Sequence, residues 1–247
     1  MHKTGFARDF FKRYFIDAMS QMALGLFSSL IIGLILSQLS GLPGLGFLKP
    51  MADMASASSP VVGAAIGVAI AYGLKVKPLA IFSSAVTGAI GYKLGGPVGA
   101  YLAAVVGAEI GQLIAGKTPV DIVLVPIFTI VSGGLIALWS GPAIAAGMDA
   151  LGGFINSATE LHPLPMGIIV SVVMGLALTA PISSAAISIS LGLNGLAAGA
   201  AAVGCCAQMI GFAVQSYPDN GVGGLLSQGL GTSMLQFGNI MRKPVIW

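Results

Sequence analysis

The sequence predicts an all-α polytopic membrane protein, a helical bundle with about eight spanning segments, and three observations predict it. Of 247 residues, 56% are hydrophobic and only 8% are charged, against roughly a quarter charged in an average soluble chain. Eleven basic and eight acidic side chains cannot supply the polar surface that a soluble domain of this length needs. The mean hydropathy is +0.95, and the apolar residues gather in long runs. Finally, the 36 glycines recur four apart in GAAIG (from Gly63), GGPVG (from Gly95), GAEIG (from Gly107) and GLAAG (from Gly195). That spacing puts small residues on one helical face, where they let membrane helices approach closely.

Residues 1–15, MHKTGFARDFFKRYF, predict an interfacial helix. Arg8, Lys12 and Arg13 would meet headgroups while Phe6, Phe10, Phe11, Tyr14 and Phe15 bury their rings at the boundary. The hydrophobic run that follows is too long for a cleavable signal, so residues 16–247 read as one transmembrane domain. Its expected crossings are 16–40, 57–74, 78–93, 97–115, 120–139, 164–192, 195–214 and 222–240, with 164–192 broken in its middle by Pro181. The stretch 141–158 is weakly apolar and holds Asp149, so it reads as a re-entrant or interfacial piece. With the N-terminus in the cytoplasm, Lys3, Arg8, Lys12, Arg13, Lys75, Lys77, Lys117, Arg242 and Lys243 face inward and only Lys49 and Lys93 face outward, as retained cations should.

Several function classes fall away. The basic residues sit at segment ends and form no stripe for nucleic acid. No phosphate-cradling GxxxxGK[ST], zinc-binding HExxH or GxSxG elbow occurs, so an enzyme is not expected. Cys205 and Cys206 are adjacent, without metal-ligand or redox spacing, and read as small packing residues; no metal and no cofactor is expected.

Polar groups within apolar segments are then the functional candidates. Glu109, with Gln112 one turn on, is either a coupling carboxyl or a buried structural one. Asp17 with Gln21, and Asp121, are weaker candidates, since near segment ends solvation or capping explains them better than function does. Glu160 and His162 fall in SATELHPLP, whose prolines interrupt the helix. An irregular segment at membrane depth must be buried in protein or line a cavity; the alternative is an ordinary solvated loop. In TAPISSAAISIS the break at Pro181 gathers Thr179, Ser183, Ser184 and Ser188 near freed carbonyls, either as a solute site or as a kink healed by hydroxyls. Asn194, Gln208, Gln215, Gln228, Ser233, Gln236 and Asn239 follow, and uncharged amides suit a neutral polyol better than an ion. The carboxylate loop and the broken helix are expected to form two halves of one polar cavity.

The run TAPISSAAISISLGLNGLAAGAAAVGCCAQMIGFAVQSYPDNGVGGLLSQGLGTSMLQFGNI, with INSATELHPLPMGIIVSVVMG and FARDFFKRYFIDAMSQMALGLFSSLIIG, resembles the sugar-phosphotransferase-system IIC-like membrane proteins. That family also includes proteins labelled toxin (perfringolysin) regulators. The resemblance covers nearly the whole chain. It implies a bacterial cytoplasmic (inner) membrane transporter, dimeric, that carries a sugar, polyol or sugar acid. It also implies that Glu160 contacts solute hydroxyls, with His162 beside it. Family members run on past RKPVIW, so a C-terminal region is expected to be missing. Separate IIA and IIB proteins are the implied partners, yet no such domain is attached and the cysteines lie where a phosphocarrier could not reach them. Two other readings stay open: a sensor that binds solute and regulates toxin expression without transport, and an ion or proton-coupled channel centred on Glu109.

Overall fold

The computed structural model describes residues 9–160, 162–180 and 193–246, and among them every regular element is helical. The chain divides into two compact units, one formed by residues up to Pro142 with Gly238–Trp247, the other by Ala143–Phe237.

In the first unit, α1 (Asp9–Ser40) includes residues 9–15, the described part of the expected interfacial segment. It widens into π turns at Lys12–Ala18 and Phe27–Ile31. At the second of these the Ser28 and Ser29 hydroxyls donate to the Gly25 carbonyl at 3.1 and 2.7 Å, the kind of back-bonding that bends a helix. A short α2 (Lys49–Met54) leads to α3 (Pro60–Gly73), which opens with Ser59 as N-cap, its hydroxyl accepting from the Val61 amide, and Pro60 at the first helical position.

The next element, α4 (Pro78–Ile114), is continuous by hydrogen bonding but is not one rod. Gly95 (φ −149°, ψ 23°) and Gly96 (φ 59°, ψ −151°) leave helical space, and Gly96 adopts a left-handed conformation natural to glycine. A straight helix would hold Gly91 and Gly99 about 12 Å apart, whereas a methyl built on either would overlap the other's carbonyl. The element is therefore an antiparallel hairpin with limbs 78–94 and 97–114, matching the two crossings expected at 78–93 and 97–115. At its open end the Lys77 amide donates to Gln112 Oε1 at 2.7 Å and the Lys77 ammonium to the Ala115 carbonyl at 2.5 Å.

Helix α3 lies against the first limb with almost no side chain between them. A methyl on Gly67 would strike the Ser84 carbonyl, and one on Gly88 the Gly63 carbonyl, so GAAIG is the contact face. Around it Met22, Val62, Ile66 and Ile70 are fully buried. The α5 helix (Asp121–Thr159) begins in this unit and ends in the second, and 141–158 is helical throughout. Asp121 fixes its start by accepting from the Thr118 amide at 3.1 Å, the Thr118 hydroxyl at 2.5 Å and the Gly116 amide.

The second unit holds the last part of α5, then α6 (Pro163–Thr179) and α7 (Gly195–Gln215), packed around Ile155, Met166, Val170 and Met174. Gly204 touches Ser171 backbone to backbone. Residues 222–240, expected to form the last crossing, do not form one helix. The α8 helix (Tyr217–Leu226) is interrupted at Gly221 (φ 58°), a π turn covers Ser227–Gly231, and Thr232 is extended (φ −160°, ψ 141°) before a 3-10 turn at Ser233–Gln236 and α9 (Phe237–Arg242). Glycines at 221, 223, 224, 229 and 231 weaken helix enough for side-chain hydrogen bonds to take over. By length and composition, four helices among the described residues can cross a membrane (α1, α4, α5 and α7), with α4 taken along its whole length across the Gly95–Gly96 turn, while α3 and α6 are shorter apolar helices.

Candidate functional site

Helix α6 stops where the sequence says it must. Ala180 is extended (φ −68°, ψ 161°), the conformation imposed on a residue that precedes proline. This makes Thr179 the last helical residue, and it is fully buried. Its hydroxyl oxygen lies 2.8 Å from the Ser233 hydroxyl and accepts from Gln208 Nε2 at 3.1 Å. A 3.4 Å contact to the Gly175 carbonyl gives its proton a backbone acceptor within its own helix. Three separate elements thus deliver a threonine, a glutamine and a serine to one point. Ser233 is fully buried and Thr232 and Gln236 nearly so. Thr232 Oγ1 caps this turn by accepting from the Met234 amide at 3.1 Å.

A second buried amide stands in the same unit. Gln228 is 2% exposed and donates to the Ser216 hydroxyl at 2.8 Å. Its Oε1 has no hydrogen-bond partner among the described residues. A buried acceptor left open costs about 1–3 kcal/mol, which a donor hydroxyl would recover.

Glu160 and His162 occupy the opposite end of α6. Glu160 follows the end of α5 and His162 precedes Pro163, and both side chains are exposed. The Glu160 amide donates to the Ser157 carbonyl at 3.3 Å, and His162 is the N-cap residue of α6, its carbonyl accepting from Met166 at 3.0 Å. Thr179 is the last of the 17 residues of α6 and Pro163 the first, which puts the loop about 24 Å away along the axis. Glu160 and Thr179 are therefore too far apart for a single small solute to touch both. Asn194 is exposed at the N-cap of α7. Ser183, Ser184, Ser188 and Pro181 lie outside the described residues.

Glu109 is five residues from the end of its limb, in the first unit. Its Oε1 accepts from Arg13 Nε at 2.8 Å, Arg13 Nη2 at 2.7 Å and the Tyr14 hydroxyl at 3.1 Å. The Tyr101 hydroxyl completes the clasp by donating to the Tyr14 carbonyl at 2.7 Å. Gln112 faces the start of the hairpin at Lys77, so the two expected coupling residues serve different contacts. The clasp was not legible in the sequence, because nothing local pairs positions 13 and 109. Cys205 Sγ sits 3.6 Å from the Met174 carbonyl, and no cluster of metal-ligating residues occurs among the described residues.

The family model described as Phosphotransferase system, EIIC matches residues 16–247. The chain belongs to that family. As an EIIC protein it is of the class of membrane components that serve sugar transport in the phosphotransferase system. No curated protein and no solved structure matches this EIIC chain.

Proposed function

We propose that this EIIC protein binds a small neutral solute, a sugar or polyol in preference to a sugar acid, at the Thr179–Gln208–Ser233 cluster and carries it across the bacterial cytoplasmic membrane. The observation that carries the reading is the cluster itself: two buried hydroxyls and a half-buried amide that converge where an apolar helix ends. Hydroxyls and amides both donate and accept, which matches a polyol and gives no net charge to hold an ion. Thr179 and Gln208 would exchange their mutual bond for solute hydroxyls, with Ser183 and Ser184 joining from the segment after the helix end. Gln228 Oε1 supplies a further open acceptor.

Glu160 and His162 then form a second station at the other end of α6, meeting the solute before or after it occupies the cluster, with Asn194, at the start of α7, as an exposed polar contact toward that end. The N-terminus is cytoplasmic in this reading, because Lys12, Lys75 and Arg242 share one end of the first unit. The working form is a homodimer. Cys205, turned to the backbone of a neighbouring helix, is not a phosphocarrier in this reading.

A thermal-shift screen of the purified protein against hexoses, hexitols, sugar acids and small carboxylates tests the solute class. A hexose or hexitol should stabilise the native protein and Glu160→Gln to similar extents, because the two stations are separate. Stabilisation by carboxylates alone would contradict a neutral solute. Loss of every shift in Glu160→Gln would place the principal site at the loop.

Coupling through Glu109 is not adopted, because its oxygen is already engaged by three donors. Glu109→Gln removes the charge-assisted bonds from a pair whose side chains are 41% and 27% exposed, so the loss, discounted for solvent, is about 1 kcal/mol. The expected result is a melting temperature lowered by a few degrees with solute flux retained. Abolished flux with unchanged stability would restore the channel reading.

A further inference from the structure

At one end of the first unit lies an open cleft of about 780 Å³ that takes its lining from three separate chain segments. Lys12 comes from the first turn of α1, Lys75 from the connection between α3 and α4, and Arg242 from the last turn of α9. Asp17 is the one acidic side chain in the lining, so three positive charges and one negative leave the cleft with a net charge of +2 (3 − 1). None of the three cations has an ion pair among the described residues, in contrast to Arg13 beside them, which is held by Glu109. Ser20 and Gln21 add a hydroxyl and an amide, and the exposed Tyr72 ring stands at the rim.

Lys75 contributes a second, independent observation. It has φ +57°, the only non-glycine residue with positive φ among the described residues. Glycine or asparagine would adopt that conformation at lower cost, so a long cationic side chain is held at a strained position that opens on the cleft. Lys75 is the residue that closes α3, its amide donating to the Tyr72 carbonyl at 2.9 Å and the Val76 amide to the Ala71 carbonyl at 3.4 Å, so the helix cap sets a cation at the cleft where glycine is usual.

We propose that the cleft binds a phosphate-bearing anion, supplied by the headgroup of an anionic lipid. Three convergent cations with flanking donors match a phosphate group, whose oxygens accept several charge-assisted hydrogen bonds. The site lies at the membrane-flanking end of apolar helices, where basic residues meet anionic headgroups and an aromatic ring sits at headgroup depth. Soluble phosphate shares the chemistry and is the alternative source. The site is distinct from the solute cluster and does not depend on it.

The test is a melting-temperature titration of the full chain in detergent with phosphatidylglycerol, phosphatidylcholine or inorganic phosphate at matched ionic strength. Lys75→Asn with Arg242→Gln removes two cleft cations while suiting the backbone at position 75. Lys49→Gln with Lys93→Gln removes the same charge away from the cleft. Phosphatidylglycerol should stabilise the native protein and the Lys49/Lys93 variant alike, and the cleft variant should need roughly tenfold more lipid for the same shift. Should the cleft variant fold poorly, Lys12→Gln, at an exposed position, should still weaken the response about threefold. Inorganic phosphate acting through the same residues, with no preference for phosphatidylglycerol over phosphatidylcholine, would overturn the lipid source. Equal titration of the native and cleft variants, equal losses in both double variants, or no shift with any probe would overturn the site.

Discussion

Gly88→Val is expected to leave little folded protein. The first atom of a side chain at this position would overlap the Gly63 carbonyl and lie 2.7 Å from Gly67 Cα and 2.8 Å from Gly67 N. All three are backbone atoms of α3, so no rotamer change relieves the overlap and the two helices must separate. Inside a membrane, where lipid is as apolar as the side chains, close packing is most of what holds helices together. Separating them is expected to cost about 3 kcal/mol or more, above the usual range for overpacking because backbone and not side chain must move. The measurement is the yield of monodisperse protein in detergent together with its melting temperature. Gly199→Ala is the control, since nothing lies within 4 Å of a methyl there, and replacing a helical glycine by alanine is neutral or favourable. Equal stability of Gly88→Val and the native chain would mean that α3 and the hairpin do not pack as described.

The second large effect belongs to Thr179→Val. The substitution keeps the branched shape and removes the hydroxyl that joins Gln208 to Ser233, leaving both with one partner fewer in a buried site. The stability cost of the orphaned groups is about 1–3 kcal/mol. Solute affinity should fall further than stability does, by about 10- to 100-fold, because a site built to hydrogen-bond hydroxyls loses both its contact and its arrangement. A titration of the compound found by thermal shift, read on native and variant protein, checks this. Unchanged affinity in a stable Thr179→Val would remove the cluster from the solute path.

What the sequence made legible follows from how local each signal is. Apolar composition and run length depend on the bilayer alone, so the all-α membrane class and most helices could be read directly. The hairpin turn at Gly95–Gly96 and the helix end before Pro181 are likewise written in one or two residues. Glycine spacing was less informative. GAAIG and GLAAG look alike, yet Gly63 and Gly67 face backbone across a helix interface while Gly195 and Gly199 have nothing within 4 Å. The spacing states that a face is bare, and only the fold states what covers it. Residues 222–240 have the hydropathy of a crossing, but their glycines and hydroxyls divide the segment into short turns, and that competition is invisible to an average over the run.

For the candidate site the same division holds. Thr179 and Gln208 were both readable as polar groups in apolar helices, and they do meet. Their partner Ser233 was one of several scattered polar residues, and nothing in its neighbourhood marked it out from Asn239 or Gln215. Glu160 and His162 were readable as a motif, but their distance from Thr179 depends on α6 being one regular helix of 17 residues. The Arg13–Glu109 clasp joins positions 96 residues apart, and no local pattern could reveal it.

The most direct test of the central claim is solute counterflow in proteoliposomes, with the native protein and with Thr179→Val carrying Gln208→Leu, loaded in turn with hexoses and hexitols. The account predicts transient accumulation of at least one labelled compound by the native protein, driven only by the loaded solute, and none by the double variant. Accumulation by both proteins alike would contradict a solute path through the Thr179–Gln208–Ser233 cluster, and accumulation by neither would contradict transport itself.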